Sequence, residues 1–176
     1  MRADTTTRTL LASSLVLVAL SSPAAAQMAS APACAAPAAA TGAYATWNRP
    51  SALIAGREAA SPAMLTLGAA AQVTLSATPD VHYAQRPEKP GGSVSYGGLL
   101  RFDVAKAGTY RIALGSPAWL DVIGKDGSLR SIAHGHGPDC TGIRKMVDFT
   151  LEPGRYLLQI SANGEPALVV LAMLVQ

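Results

Sequence analysis

From Met64 onward the chain is a succession of short stretches in which apolar and polar residues alternate, each closed by turn residues. Few folds accommodate that pattern. Val73 and Leu75 oppose Thr74 and Ser76 in residues 72–76, and Leu100, Phe102 and Val104 oppose Arg101 and Asp103 in 99–104. The same alternation places Tyr110, Ile112 and Leu114 together in 109–114, and Tyr156, Leu158 and Ile160 in 155–161. In 145–151 it groups Val147, Phe149 and Leu151, with Asp148 on the opposite face, where its removal is expected to cost little. A period of two over such lengths is that of a half-buried strand. Shorter runs at 64–67, 118–123 and 129–133 extend the series, and the nearly unbroken apolar run 167–175 reads as a central strand buried on both faces. Between them lie Lys106-Ala107-Gly108, Gly115-Ser116-Pro117, Lys125-Asp126-Gly127, Glu152-Pro153-Gly154 and Asn163-Gly164, residues suited to tight reversals. The expectation is an all-β fold, an antiparallel jelly-roll-like β-sandwich of about eight to nine strands.

The chain begins quite differently. Arg2 and Arg8 precede an apolar run at 10–20, followed by small residues ending in Ala24-Ala25-Ala26. Positive start, short apolar core and small-residue end make a secretory signal peptide, with cleavage expected between Ala26 and Gln27. The run is shorter than the roughly 20 residues of a bilayer span, so no membrane span is expected in the mature chain. Residues 27–46 are mostly Ala with Pro32, Pro37 and Gly42, without charge or apolar period, and read as a flexible tether. The sandwich is expected over 47–176, with 46–60 as either a short helix after Pro50 or an irregular lead-in.

Cleavage would leave 176 − 26 = 150 residues, enough for one domain with a real core. Of 14 Lys and Arg and 11 Asp and Glu, the leader removes Arg2, Arg8 and Asp4, so the mature charge is 12 − 10 = +2. That small surplus is spread along the chain without a basic patch, which argues against a nucleic-acid partner. Cys34 and Cys140 survive processing. In an oxidising compartment such a pair reads as one disulfide, against two buried thiols or lipidation of Cys34; at Ala31 a lipobox would have Leu.

Two resemblances rest on particular residues. The segment GGLLRFDVAKAGTYRIAL, the later Leu120-Asp121-Val122 and the Pro153–Ile160 run PGRYLLQI resemble bacterial pre-peptidase C-terminal domains. That resemblance implies a jelly-roll-like sandwich and an accessory or binding role in a secreted protein. The segments YGGLLRF, GTYR and AHGHGPDC resemble small exported alphaproteobacterial proteins, some of which carry the label homogentisate 1,2-dioxygenase. That label implies a metal-dependent oxygenase. Enzymes of that name use a His, His, Glu iron site on a cupin fold, with the Glu a few residues after H-x-H. Here the next acid is Asp139 and the next Glu is Glu152.

The loop 131–145 concentrates the residues best suited to chemistry. His134 and His136, two apart, share a face if the backbone is extended, and with Asp139 they offer a divalent transition-metal site. Gly135, Gly137, Pro138 and Gly142 suit a purely structural turn, pinned by Cys140. A second candidate is the long Pro- and Gly-rich loop at 79–98, with His82, Tyr83 and Tyr96 as ligand-facing residues beside Arg86, Glu88 and Lys89. Trp47 and Trp119 are candidates for stacking on a carbohydrate, though Trp is more often core. Trp119 shares a face with Asp121 and Ile123; Asp121 and Asp126 offer carboxylates to calcium without forming a D-x-D-x-D loop. No G-x-S-x-G occurs. The reading that follows is an exported, periplasmic or secreted, non-enzymatic binding or accessory module with a protein or envelope partner. A metal-dependent oxygenase using His134 and His136 is the alternative, and a structural envelope protein the third.

Overall fold

The computed structural model describes residues 34–175. The expected leader, residues 27–33 of the tether and Gln176 lie outside the described residues. Twelve strands form two mixed sheets that pack face to face. In chain order they are β1 (Ser51–Ile54), β2 (Ala63–Met64), β3 (Ala71–Thr74), β4 (Ser76–Ala77), β5 (Tyr96–Val104) and β6 (Gly108–Leu114), then β7 (Trp119–Gly124), β8 (Gly127–Ser128), β9 (Ala133–Gly135), β10 (Lys145–Leu151), β11 (Gly154–Asn163) and β12 (Ala167–Leu174). One sheet runs β1-β3-β12-β6-β10-β9; the other runs β2-β5-β11-β7-β8, with β4 also on β5.

The eight strands β3, β12, β6 and β10 in the first sheet and β5, β11, β7 and β8 in the second make the jelly roll. Followed along the chain, they alternate between sheets except at the β7–β8 hairpin. The expected all-β sandwich is therefore the fold. The strand count exceeds eight to nine because short strands line the edges. Two edge pairings, β1 with β3 and β2 with β5, are parallel. After β1 the chain crosses to lay down β2 on the other sheet, so it returns as β3 without a hairpin.

The alternating residues meet between the sheets. Leu100, Phe102, Ile112, Leu114, Val122, Leu158 and Ile160 are fully buried there. Phe102 and Tyr156 stack with ring centres 5.7 Å apart. Two tyrosines also tie off turns: Tyr110 donates to the Lys106 carbonyl at 2.8 Å and Tyr156 to the Glu152 carbonyl at 2.9 Å. Each ring thus fills the core while its hydroxyl satisfies the reversal before its own strand.

Three expectations are corrected. Residues 46–60 hold neither a helix after Pro50 nor only an irregular lead-in, since Ser51–Ile54 is strand β1. Residues 129–133 are not one strand: β8 ends at Ser128, the chain crosses the open side of the sandwich, and β9 begins at Ala133 on the other sheet. Residues 34–46 do not behave as a tether. A 3-10 helix at Gly42–Asn48 lies against the outside of the first sheet, where Trp47 and Ala40 are buried with Ala113, Leu171 and Met173. Asn48 clamps this arm, accepting from the Ala40 amide at 2.9 Å and donating to the Ala40 carbonyl at 2.7 Å. Burial of β12 on both faces, expected from its composition, follows from that cover.

Candidate functional site

The outward face of the second sheet is built by cross-strand pairs, in which facing residues lie side by side. On β7 and β11, Trp119 is opposite Ser161 and Asp121 is opposite Gln159. Gln159 and Ser161 are only 1% exposed, although they point away from the core. The long loop after β4 covers them. Gln159 accepts from the Gln85 amide and donates to the Gln85 carbonyl, both at 3.1 Å, and Ser161 donates to the Lys89 carbonyl at 2.8 Å. Tyr83 donates to the Ile160 carbonyl at 3.2 Å, and burial pushes its phenol up to about 12. Gly97 is required beneath it: a Cβ there would collide with the Tyr83 hydroxyl and the Ile160 carbonyl.

Those bonds hold Glu88 and Lys89 over the strand that carries Trp119. A cleft of about 460 Å³ opens there, at the side of the sandwich where the chain crosses between sheets. Trp119, Asp121, Arg130, His134 and Lys145 line it with Glu88, above an apolar floor that includes Leu120 and Phe149. Trp119 is half-buried. Two ammonium groups approach its ring: Lys89 at 5.1 Å and Lys145 at 5.2 Å from the ring centre. Lys145 also donates to the Ala118 carbonyl at 2.9 Å.

Asp121 accepts from the Trp119 indole N–H at 3.0 Å through one oxygen. Its other oxygen is buried without a hydrogen-bond partner. Burial raises the Asp121 carboxyl, the indole bond opposes that shift, and nearby Glu88 adds to it. Burial likewise lowers the Lys145 amine, helped by neighbouring Lys89. Both groups are therefore charged at a cost.

The sequence-predicted residues fall in several places. His134, on β9 opposite Val147, reaches the cleft. His136 turns to the Arg144 carbonyl at 3.0 Å, where its Nδ1 must be the donor. Asp139 is exposed in the turn that follows. His134, His136 and Asp139 are not brought together, and among the described residues no group of three His, Cys, Asp or Glu is placed to hold a metal ion. His82 pairs with Glu58 at 2.7 Å on another part of the surface, and Tyr96 packs against the core at the start of β5. The long loop thus brings Glu88 to the cleft and Lys89 over the Trp119 ring, while His82, Tyr83 and Tyr96 have other partners. Asp126 sits in the exposed β7–β8 turn beside Lys125. Trp47 is buried between the arm and the first sheet, so of the two tryptophans only Trp119 faces the cleft.

Cys34 and Cys140 form a disulfide with Cα atoms 5.5 Å apart, and the Ala38 amide donates to the Cys140 carbonyl at 2.8 Å beside it. The bond joins the arm to the loop after β9, and it fits an oxidising compartment.

No family model matches the chain, and no curated protein does. Among solved structures, it is similar to the pre-peptidase C-terminal domain of a collagenase from Bacillus anthracis. That match has 15% identity and a TM-score of 0.40 over 62% of this chain and 92% of that one.

Proposed function

We propose that this protein is an exported, non-enzymatic binding or accessory module that takes its ligand in the Trp119 cleft. One observation carries the reading. A half-buried indole, on strand β7 beside the short edge strand β8, faces a cleft in which its own hydrogen-bond partner, Asp121, keeps a buried oxygen unpaired. An unpaired buried acceptor costs free energy, and a ligand donor recovers it only where its entry bares that oxygen. Cleft size is in the ordinary range for a small molecule or a short stretch of polymer. The disulfide supports export to the periplasm or beyond. An oxygenase site on His134 and His136 is less well supported, because the two imidazoles engage different surroundings and Asp139 joins neither.

A panel of saccharides and small fragments, screened by ligand-detected NMR against the oxidised protein, tests the proposal. Hits that vanish in Trp119→Ala while its circular dichroism stays native are the expected result. A silent panel, or hits indifferent to Trp119→Ala, would count against it.

A further inference from the structure

We infer that the ligand of this cleft is a carboxylated polysaccharide, its pyranose ring seated on Trp119 and its carboxylate between Lys89 and Lys145. The inference rests on the proposal that the cleft binds a ligand at all, and adds which chemistry it takes.

Charge and shape lead there separately. Two ammonium ions are held against one indole ring, where their like charges repel, and neither is within ion-pair distance of a carboxylate among the described residues. Lys145 and Arg130 line the cleft with two carboxylates, Glu88 and Asp121, and the imidazole of His134, and Lys89 brings a third basic group to the Trp119 ring. An anion entering this space relieves the repulsion. It gains more than at an open surface, because the cleft is partly shielded from water.

Shape decides which anion. The apolar floor and the indole suit a body with a flat C–H face, which a pyranose presents and a free inorganic anion lacks. Asp121 lines the cleft and, when ionised, only accepts hydrogen bonds, so it suits a hydroxyl donor, which a sugar ring supplies and an ionised carboxylate does not. Lys89 comes from a loop and is exposed, whereas Lys145 is anchored to the Ala118 carbonyl. A sugar arriving on the ring displaces the Lys89 ammonium to its rim. There it meets the carboxylate, while Lys145 stays in place. The cleft is open to solvent at the side of the sandwich, so a segment of polymer can enter it.

Affinity electrophoresis and fluorescence titration of the full oxidised protein, at low and at moderate salt, test the idea with four probes. These are polygalacturonate, its fully methyl-esterified form, dextran and inorganic polyphosphate. Binding to polygalacturonate is expected, at least tenfold weaker for the methyl ester, with dextran and polyphosphate weaker still. Trp119→Ala and Lys145→Met should each weaken polygalacturonate binding at least tenfold. Asp121→Asn should weaken it less, since its amide oxygen still accepts. Equal binding of the acid and its methyl ester, lost in Trp119→Ala, would overturn the charge inference and leave the binding cleft standing. Polyphosphate binding as tight as polygalacturonate, or acid binding indifferent to Trp119→Ala, would overturn it as surface electrostatics. No binding of any probe would also overturn it, and the fragment panel then decides whether the cleft binds anything.

Discussion

In the folded chain Asp121 ionises less readily than in the unfolded one, because burial penalises its charged form. The folded state then holds the proton more tightly. Stability therefore falls as pH rises from the ordinary carboxyl range through the raised folded value. Asp121→Asn should raise the melting temperature at pH 7 and lose that advantage below the ordinary carboxyl range, as thermal scans at the two pH values would show. Asp148 is a different case. Alternation put it on the outer face, as found, but it is 8% exposed and grips Arg111 through both oxygens, at 2.8 and 2.7 Å. Arg111 also donates to the Tyr44 hydroxyl at 2.8 Å, and these partners raise its pKa further. The expectation of a small cost is corrected by that pairing. Asp148→Ala should lose about 2 kcal/mol by urea unfolding, less than a fully buried pair because Arg111 keeps some solvent. Phe149→Ala, on the core side, should lose about 3 to 5 kcal/mol. A period of two tells which side a residue faces; it does not tell what lies on that side.

The long strands that supply the core between the sheets were legible in the sequence. β10 occupies the expected residues 145–151, and β5, β6, β11 and β12 differ from expectation only at their ends. Alternation in four of them and an unbroken apolar run in β12 are local signals, and local chemistry is enough. The arm was not legible, because Ala-rich sequence has no period and its order comes from surfaces far along the chain: Leu171, Met173 and the cystine partner at Cys140. The long loop was legible as a loop but not as a cover, since it binds through backbone groups of Gln85 and Lys89 that every residue type shares. Of the candidate site, Trp119 and Asp121 were legible as one outward face, whereas the approach of Lys145 from the other sheet was not. If the arm is part of the fold, Trp47→Ala should cost about 3 kcal/mol in chemical denaturation, as for a buried aromatic. A freely moving tether would lose nothing there.

At the scale of the molecule, the histidines and the disulfide make opposite predictions. Replacing His134 and His136 together with Asn should leave metal content by elemental analysis, and oxygen uptake with homogentisate, unchanged from the wild type. Iron lost together with activity in that double variant would restore the oxygenase reading. Replacing Cys34 and Cys140 together with Ser should lower unfolding free energy by up to about 4 kcal/mol, since the bond closes a span of 106 residues. That same bond makes the chain from the arm to the loop after β9 a covalent ring, with nine of the twelve strands inside it. A protease that cuts once within this ring opens it but frees no fragment. The loop bearing Glu88 and Lys89 lies inside, so a nicked molecule would keep both halves of its cleft linked until the cystine is reduced.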